Sequence, residues 1–179
     1  SQFGTAKLRA GGIEMDLAAA RTETYAHAGA LPTVAPSDID RDLARRDFSI
    51  NAMAISLGTE TWGELQDPFE GRRDLDRGVV RILHEGSFID DSTRILRAVR
   101  YAGRMGFRLE SETERLLKRD LARLDGISGD RVRRELARVF AEERAVTILG
   151  AAHTLGVLAA VHPALEIAAA AVQSRLAAA

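Results

Sequence analysis

The sequence predicts an α+β chain in which strands and short helices give way, near residue 87, to helices alone. Three patterns predict it. Apolar and polar residues alternate at Ile13-Glu14-Met15-Asp16-Leu17, directly after Gly11-Gly12, as in a strand leaving a hairpin turn. Prolines and glycines interrupt the first half at short intervals, leaving room only for short elements. From Phe88 onward the apolar residues recur at helical spacing.

Taken in order, the elements follow from their residues. Gly29 to Pro36 holds two prolines and a glycine and is expected to be a loop. Ser37 to about Ala44 reads as a short helix with Ser37 as N-cap. Met53 to Leu57 is a short apolar segment stopped by Gly58. Asp67-Pro68-Phe69-Glu70-Gly71 is a turn, and Val79-Val80-Arg81-Ile82-Leu83 a strand. One helix is predicted from Asp90/Asp91 to Met105, ended by Gly106. A second runs from Ser111 to about Leu124, with Ser111 and Glu114 spaced as a capping box. Ser128 starts a third, Asp130 to about Glu142. Two more follow, Ala145 to about His153 and a piece before Pro163. The alanine-rich end, with Val172 and Leu176 one turn apart, fits another helix.

Composition narrows the function classes. The 179 residues contain no cysteine, which excludes disulfide scaffolds and thiolate metal sites. Four scattered histidines do not suggest a His-only zinc site. The longest uncharged stretch, Ala145 to Leu165, is alanine-rich and broken by Thr147, His153, Thr154, His162 and Pro163, so a membrane span is not expected. No basic-then-apolar leader precedes the first strand, and a cytoplasmic location is the expectation. With 25 basic and 26 acidic residues the chain is near neutral, which argues against blanket nucleic-acid coating but allows a local basic stripe. Only Lys7 and Lys118 are lysines. Codon usage explains the arginine excess, and arginine also suits bidentate phosphate and base contacts.

Three segments could carry chemistry. In the helix after Phe88, Arg94, Arg97, Arg100 and Arg104 fall within a sector roughly 120° wide, opposite Ile95, Leu96, Val99 and Ala102. Such a stripe reads either as a solvated amphipathic face or as a polyphosphate or RNA-backbone face. Like charges on successive turns repel, so the stripe is expected to cost stability unless anions neutralise it. On that reading, alanine at 97 or 100 weakens ATP binding and leaves folding intact. Asp90 and Asp91 stand at the helix start, where the dipole favours carboxylates. The second segment runs from Asp42 to Ala54: adjacent arginines flanked by Asp42 and Asp47, then Asn51 among apolar residues. It reads as a surface ion-pair cluster, except that a buried amide needs partners. The third is Asp16, a lone strand carboxylate, more often solvent-facing than catalytic.

Together these segments resemble a known family. Arg45-Arg46-Asp47-Phe48-Ser49-Ile50-Asn51-Ala52-Met53-Ala54 resembles the RRDFTINAMA block of class II tRNA nucleotidyltransferases and bacterial poly(A) polymerases. Asp67-Pro68-Phe69-Glu70-Gly71 with Asp74-Leu75 is similar to that family's DPF block. Phe88 to Tyr101 is similar to its EDPxRILRAxRF block, with Asp90 and Ser92 in place of Glu and Pro. Ile127 to Leu136 resembles its neck helix, and Leu155 to Leu158 with His162-Pro163 the start of its body.

The resemblance implies a partial nucleotidyltransferase (polymerase-β-like) head over residues 1–87, an all-α neck over 88–144 and the start of a helical body over 145–179. It implies template-independent addition of CMP or AMP from CTP or ATP to an RNA 3′ end: tRNA CCA or A addition, or poly(A) addition. It further implies that Arg46 contacts the nucleotide and that Asp47 and Asn51 shape the ribose site. Asp91 and Arg94 would read the base edge, and Arg97 and Arg100 would grip the triphosphate. Asp16 would be an acidic residue close to the site of two Mg²⁺ ions. Only if these residues alone added nucleotides would further ligands be needed among them, with Glu14, Glu23 and Asp47 the first to examine. The family's glycine-rich turn and its Asp-x-Asp pair precede the residues that match Phe3-Gly4-Thr5. The main metal ligands are therefore expected upstream of Ser1, and these residues alone are expected not to turn over. A non-catalytic RNA- or nucleotide-binding module of a larger protein is the alternative.

Overall fold

The computed structural model describes residues 5–24 and 33–165. Thr5–Ala10 (β1) and Ile13–Ala18 (β2) pair antiparallel, with Leu8 opposite Met15 and Lys7 opposite Asp16. Gly11 and Gly12, at φ 57° and 79°, make the turn, which needs positive φ at both positions. Arg21–Thr24 (β3) pairs with Thr33–Pro36 (β4). The loop expected over Gly29–Pro36 therefore ends earlier: Thr33–Pro36 is a strand, because Pro36 closes its edge without needing a ladder N–H. Gly29 to Pro32 lie outside the described residues.

Ile39–Ala44 forms α1, capped by Asp38, whose carboxylate accepts from the Arg41 N–H. Asp38 thus replaces the expected Ser37. A 3₁₀ turn, Ser49–Asn51, follows, then the small hairpin Ala54–Ile55 (β5) and Leu65–Gln66 (β6). Gly71–Asp76 is α2. The predicted strand at 79–83 shortens to Val79–Val80 (β7), which pairs in parallel with Arg108–Leu109 (β8).

Helices dominate from Ser87. Thr93–Met105 (α4) is the predicted helix, ended at Gly106 as expected but starting two or three residues later, and a short helix, Ser87–Asp90 (α3), precedes it. Asp91, extended at φ −140°, ψ 100°, separates the two. Its carboxylate Oδ1 accepts from the Thr93 N–H and hydroxyl at 3.0 and 2.7 Å, a local turn that competes with helical hydrogen bonding. Ser111–Asp120 (α5) is capped by Glu110 rather than Ser111: the Glu110 carboxylate accepts from the Thr113 N–H at 2.8 Å. Gly129–Phe140 (α6), Ala145–Thr154 (α7) and Val157–Val161 (α8) complete the described helices. The expected terminal helix around Val172 and Leu176 lies outside the described residues.

One hydrophobic core runs from Phe48 and Val80 through Phe88, Ile95 and Val99 to Leu116, Leu117, Ile148 and Val157. Each such side chain contributes about 1.5–3 kcal/mol by burial. α4 lies at its centre. Gly103 admits α7 so closely that a Cβ there would meet the Ile148 side chain. None of the described helices is long and apolar enough to cross a membrane.

Candidate nucleotide site

A cleft of about 450 Å³ opens between α1, the 3₁₀ turn and α4. Glu23, Arg45, Arg46, Asp47, Asn51, Asp91, Thr93, Arg94, Arg97 and Tyr101 line it. Six of the predicted site residues, Arg46, Asp47, Asn51, Asp91, Arg94 and Arg97, thus share one wall-to-wall space. Asp16 and Arg100 do not line it.

Asp42 on α1 organises one side. Its Oδ1 accepts from Arg45 Nη2 at 2.7 Å and from the Arg21 N–H at 3.1 Å, and its Oδ2 accepts from Arg46 Nη2 at 2.9 Å. Arg45 also reaches Glu23 on β3 at 2.9 Å. The predicted surface cluster is therefore largely inside, with Asp42 and Asp47 buried. Burial pushes the Asp42 carboxyl up, but the Arg45, Arg46 and backbone hydrogen bonds outweigh it and hold the group below the usual carboxylate range. A depressed folded pKa gives stability that is complete above the unfolded value, near pH 4, and is lost as pH falls through the folded one. Asp42→Asn is accordingly expected to flatten the acid limb of stability below about pH 4. Melts taken as a function of pH measure this, and an unchanged limb would exclude Asp42 as the source.

Asp47 joins the two faces of the cleft. Its Oδ1 accepts from Asn51 Nδ2 and from the Phe48 N–H, both at 3.0 Å. Its Oδ2 accepts from Arg97 Nε at 2.8 Å and also pairs with Arg97 Nη2. Burial would lower the Arg97 pKa, but the charge and hydrogen bonding of Asp47, helped by Tyr101 and Glu135, together outweigh burial and raise it. Asn51 is thus the partnered amide that its apolar neighbours required. Its 3₁₀ turn is held from behind by the Asp67–Asp74 segment. Ser49 Oγ donates to Asp74 Oδ2 at 2.5 Å, and Arg81 joins that carboxylate at 2.8 Å and the Phe69 carbonyl at 2.6 Å. Asp67 in turn caps α2 through the N–H groups of Gly71 and Arg72.

Arg94 is buried yet reaches the cleft. Its Nη1 donates to Ser87 Oγ at 2.8 Å and its Nη2 to the Arg45 carbonyl at 2.7 Å. Asp91 accepts from Arg131 Nη2 at 2.7 Å. The lining thus sets four arginines against three carboxylates, in fixed geometry, with one aromatic ring, Tyr101. Such a site can take a polyanion carrying a planar polar ring.

The open arginine stripe is corrected. Arg100 is 6% exposed and faces α6, not the cleft: Nη1 donates to Glu142 at 3.1 Å, Nε stands 3.8 Å from Glu135, and the guanidinium lies 4.8 Å from the Tyr101 ring centroid. Remote carboxylates, invisible in the helix sequence, neutralise it.

The candidate metal ligands do not converge either. Asp16 lies on the exposed hairpin, 3.7 Å from Lys7. Glu14 pairs with Lys7 and Arg9 on the same hairpin. Glu23 Oε1 is taken by Arg21 and Arg45. No group of three or more His, Asp or Glu among the described residues could hold a metal ion, so these residues alone do not fit a two-ion site. Ser1 to Gly4 lie outside the described residues.

Sequence reasoning gave no site role to Thr93, Tyr101 or Arg131 and read Asp42 and Arg45 only as members of an ion-pair cluster. Asp42 stands three and four residues before Arg45 and Arg46, the spacing of helical ion pairs, and Tyr101 is one turn beyond Arg97. Arg131 offered no local signal.

Comparison with known proteins bears on the family of the chain. The family profile described as "Poly A polymerase head domain" matches residues 1–81, and that described as "Probable RNA and SrmB- binding site of polymerase A" matches residues 106–168. The chain belongs to the tRNA nucleotidyltransferase and poly(A) polymerase family. An A-adding tRNA nucleotidyltransferase of Aquifex aeolicus (strain VF5) is 47% identical over 150 residues, which are 83% of this chain and 18% of that protein. A Multifunctional CCA protein of Xanthomonas campestris pv. campestris (strain B100) is 37% identical, over 84% of this chain and 38% of its own. A tRNA nucleotidyltransferase solved with a primer tRNA and an incoming ATP analog superposes with a TM-score of 0.80 at 42% identity, covering 90% of this chain and 45% of the other. The chain therefore spans about a fifth to two fifths of the length of these curated relatives. Nucleotidyltransferases of this family generally use divalent metal ions.

Proposed function

We propose that this chain carries the nucleotide-selecting part of an enzyme that adds CMP or AMP to RNA 3′ ends, with tRNA as the substrate. The cleft carries the reading: Asp91 and Arg94 stand together in it with Arg46, Asp47, Asn51 and Arg97. A carboxylate accepts from the exocyclic amino group of adenine or cytosine, and a guanidinium donates to the neighbouring ring nitrogen. Arg46, held by Asp42 yet 43% exposed, contacts the nucleotide. Asp47 and Asn51 bound the ribose, and Arg97 meets the phosphates by exchanging its pairing with Asp47.

In the reaction the RNA 3′ oxygen bonds to the α-phosphorus and the bond to pyrophosphate breaks in line. Mg²⁺ is the divalent ion of this reading, with its main ligands upstream of Ser1 rather than among the carboxylates described above. Residues 1–87 are read as part of a head, 88–144 as a neck and 145–179 as the start of a body, in a cytoplasmic enzyme.

Incorporation of ATP and of CTP, tested separately on tRNA ending before CCA with the full-length gene product, is the direct assay. It separates CCA, A-only and poly(A) addition, and binding without incorporation would favour a non-catalytic module. Asp91→Asn and Arg94→Ala are expected to change the ATP-to-CTP preference by about 1–3 kcal/mol, the scale of a lost base-edge pair. Equal losses for all four nucleotides would assign these residues to folding or phosphate contact instead.

A further inference from the structure

We infer that Arg131 is a positioning residue for base selection. From the first turn of α6 it fixes the rotation of the Asp91 carboxylate, and so governs discrimination of the amino bases A and C against the keto bases G and U. This rests on the reading of Asp91 as a base-contacting group.

Three donors converge on one oxygen of Asp91. Arg131 Nη2 lies 2.7 Å from Oδ1, Thr93 Oγ1 also 2.7 Å and the Thr93 N–H 3.0 Å. Oδ2 has no donor among the described residues, and Asp91 lines the cleft. An aspartate's terminal torsion is broad when nothing holds it. Tethering one oxygen aims the lone pairs of the other. An aimed acceptor suits an exocyclic N–H and repels a carbonyl oxygen in the same place.

Thr93 supplies only local bonds, two residues from Asp91. Arg131 alone comes from another element, 40 residues away. Both side chains of the pair are about three-quarters buried, at 26% and 24% exposure, so the contact is not a solvated surface pair. α4 and α6 are also joined through Arg100 and Glu135. The placement of α6 on α4 is thereby transmitted to the group that faces the base.

The test compares ATP, CTP, GTP and UTP incorporation by the full-length gene product carrying Arg131→Gln, Arg131→Lys or Asp91→Asn. Arg131→Gln is expected to cut the preference for ATP and CTP over GTP and UTP by about 10-fold or more, through a raised KM for the amino nucleotides. Inhibition by inorganic tripolyphosphate, which lacks a base, should stay within about 2-fold. Arg131→Lys, which keeps the charge but loses the planar fork, should recover part of the preference. Equal loss for all four nucleotides, or an unchanged preference, overturns the inference. Where Arg131→Gln lowers the melting temperature severely, the preference of Arg131→Lys decides in its place. Preference lost in Asp91→Asn but kept in the Arg131 variants defeats this inference alone. Preference kept in Asp91→Asn defeats the base-reading role itself.

Discussion

Arg100→Ala is expected to destabilise the chain by about 3–5 kcal/mol, the cost of removing one partner from a buried ion cluster. That is a large share of the roughly 5–15 kcal/mol by which domains are typically stable. Arg100 is the cation between Glu135 and Glu142, and both carboxylates are mostly shielded from water, at 7% and 16% side-chain exposure. Without it, among the described residues, Glu142 keeps Arg104, at 3.7 Å, and Glu135 keeps Arg138. The Tyr101 ring also loses the guanidinium 4.8 Å from its centroid. Since α4 and α6 meet through this cluster, the loss should appear as a lower denaturation midpoint. Adding Glu142→Gln should return part of it, because the carboxylate left with only the 3.7 Å contact to Arg104 is then neutral. A variant that keeps its midpoint but loses ATP affinity would restore Arg100 to the triphosphate.

Gly71→Ala is expected to cost about 3 kcal/mol, at the upper end of overpacking losses. A Cβ at this position would meet the Ser49 carbonyl oxygen, with the Ser49 carbonyl carbon at 2.8 Å and Met53 Cγ at 2.9 Å. The first obstacles are backbone atoms of the 3₁₀ turn, which cannot rotate aside. That turn must shift, and it carries Asn51 and its bond to Asp47. Lost stability should therefore be accompanied by weaker nucleotide binding. Gly129→Ala is the control, since a Cβ there meets nothing within 4 Å. It should be neutral or slightly stabilising, as a helical glycine replaced by alanine without strain. Similar losses from both glycines in urea melts would rule out the close approach as the cause.

The second prediction also explains why two separate sequence blocks occur together. Asp67 to Asp74 contributes none of the cleft-lining residues. It supports the segment that does, through Asp74 on Ser49 and the bare Gly71 against the Ser49 backbone. As sequence it reads as a turn, and its role depends on a contact 25 residues away.

Local chemistry was legible from the residues. Gly11-Gly12 announced a hairpin because only glycine enters positive φ freely, and Gly106, at φ 69°, ended α4 for the same reason. Alternation at Ile13 to Leu17 announced a strand, and β2 pairs there with β1, though Met15 and Leu17 stay exposed. The family blocks identified six of the residues that meet in the cleft. Periodicity also placed Ile95, Leu96 and Val99 in the core.

What a side chain faces across the fold was not legible. Helical spacing shows which residues share a face but not what covers that face, so an arginine stripe sealed by Glu135 and Glu142 looks the same as one open to phosphate. Asp91 stays outside α4, delaying its start, because its carboxylate captures the Thr93 N–H, a competition that helix propensity does not describe. Arg131, 40 residues from Asp91, is an ordinary helical arginine until α6 packs on α4. The hairpin turn, the main helices and six residues that meet in the cleft could be read from the residues alone, because they follow from local backbone sterics and from side-chain types in recognisable blocks. Tertiary structure alone decided which of the arginines remain at the cleft and which become structural, because pairing of buried charge depends on carboxylates brought in from distant parts of the chain.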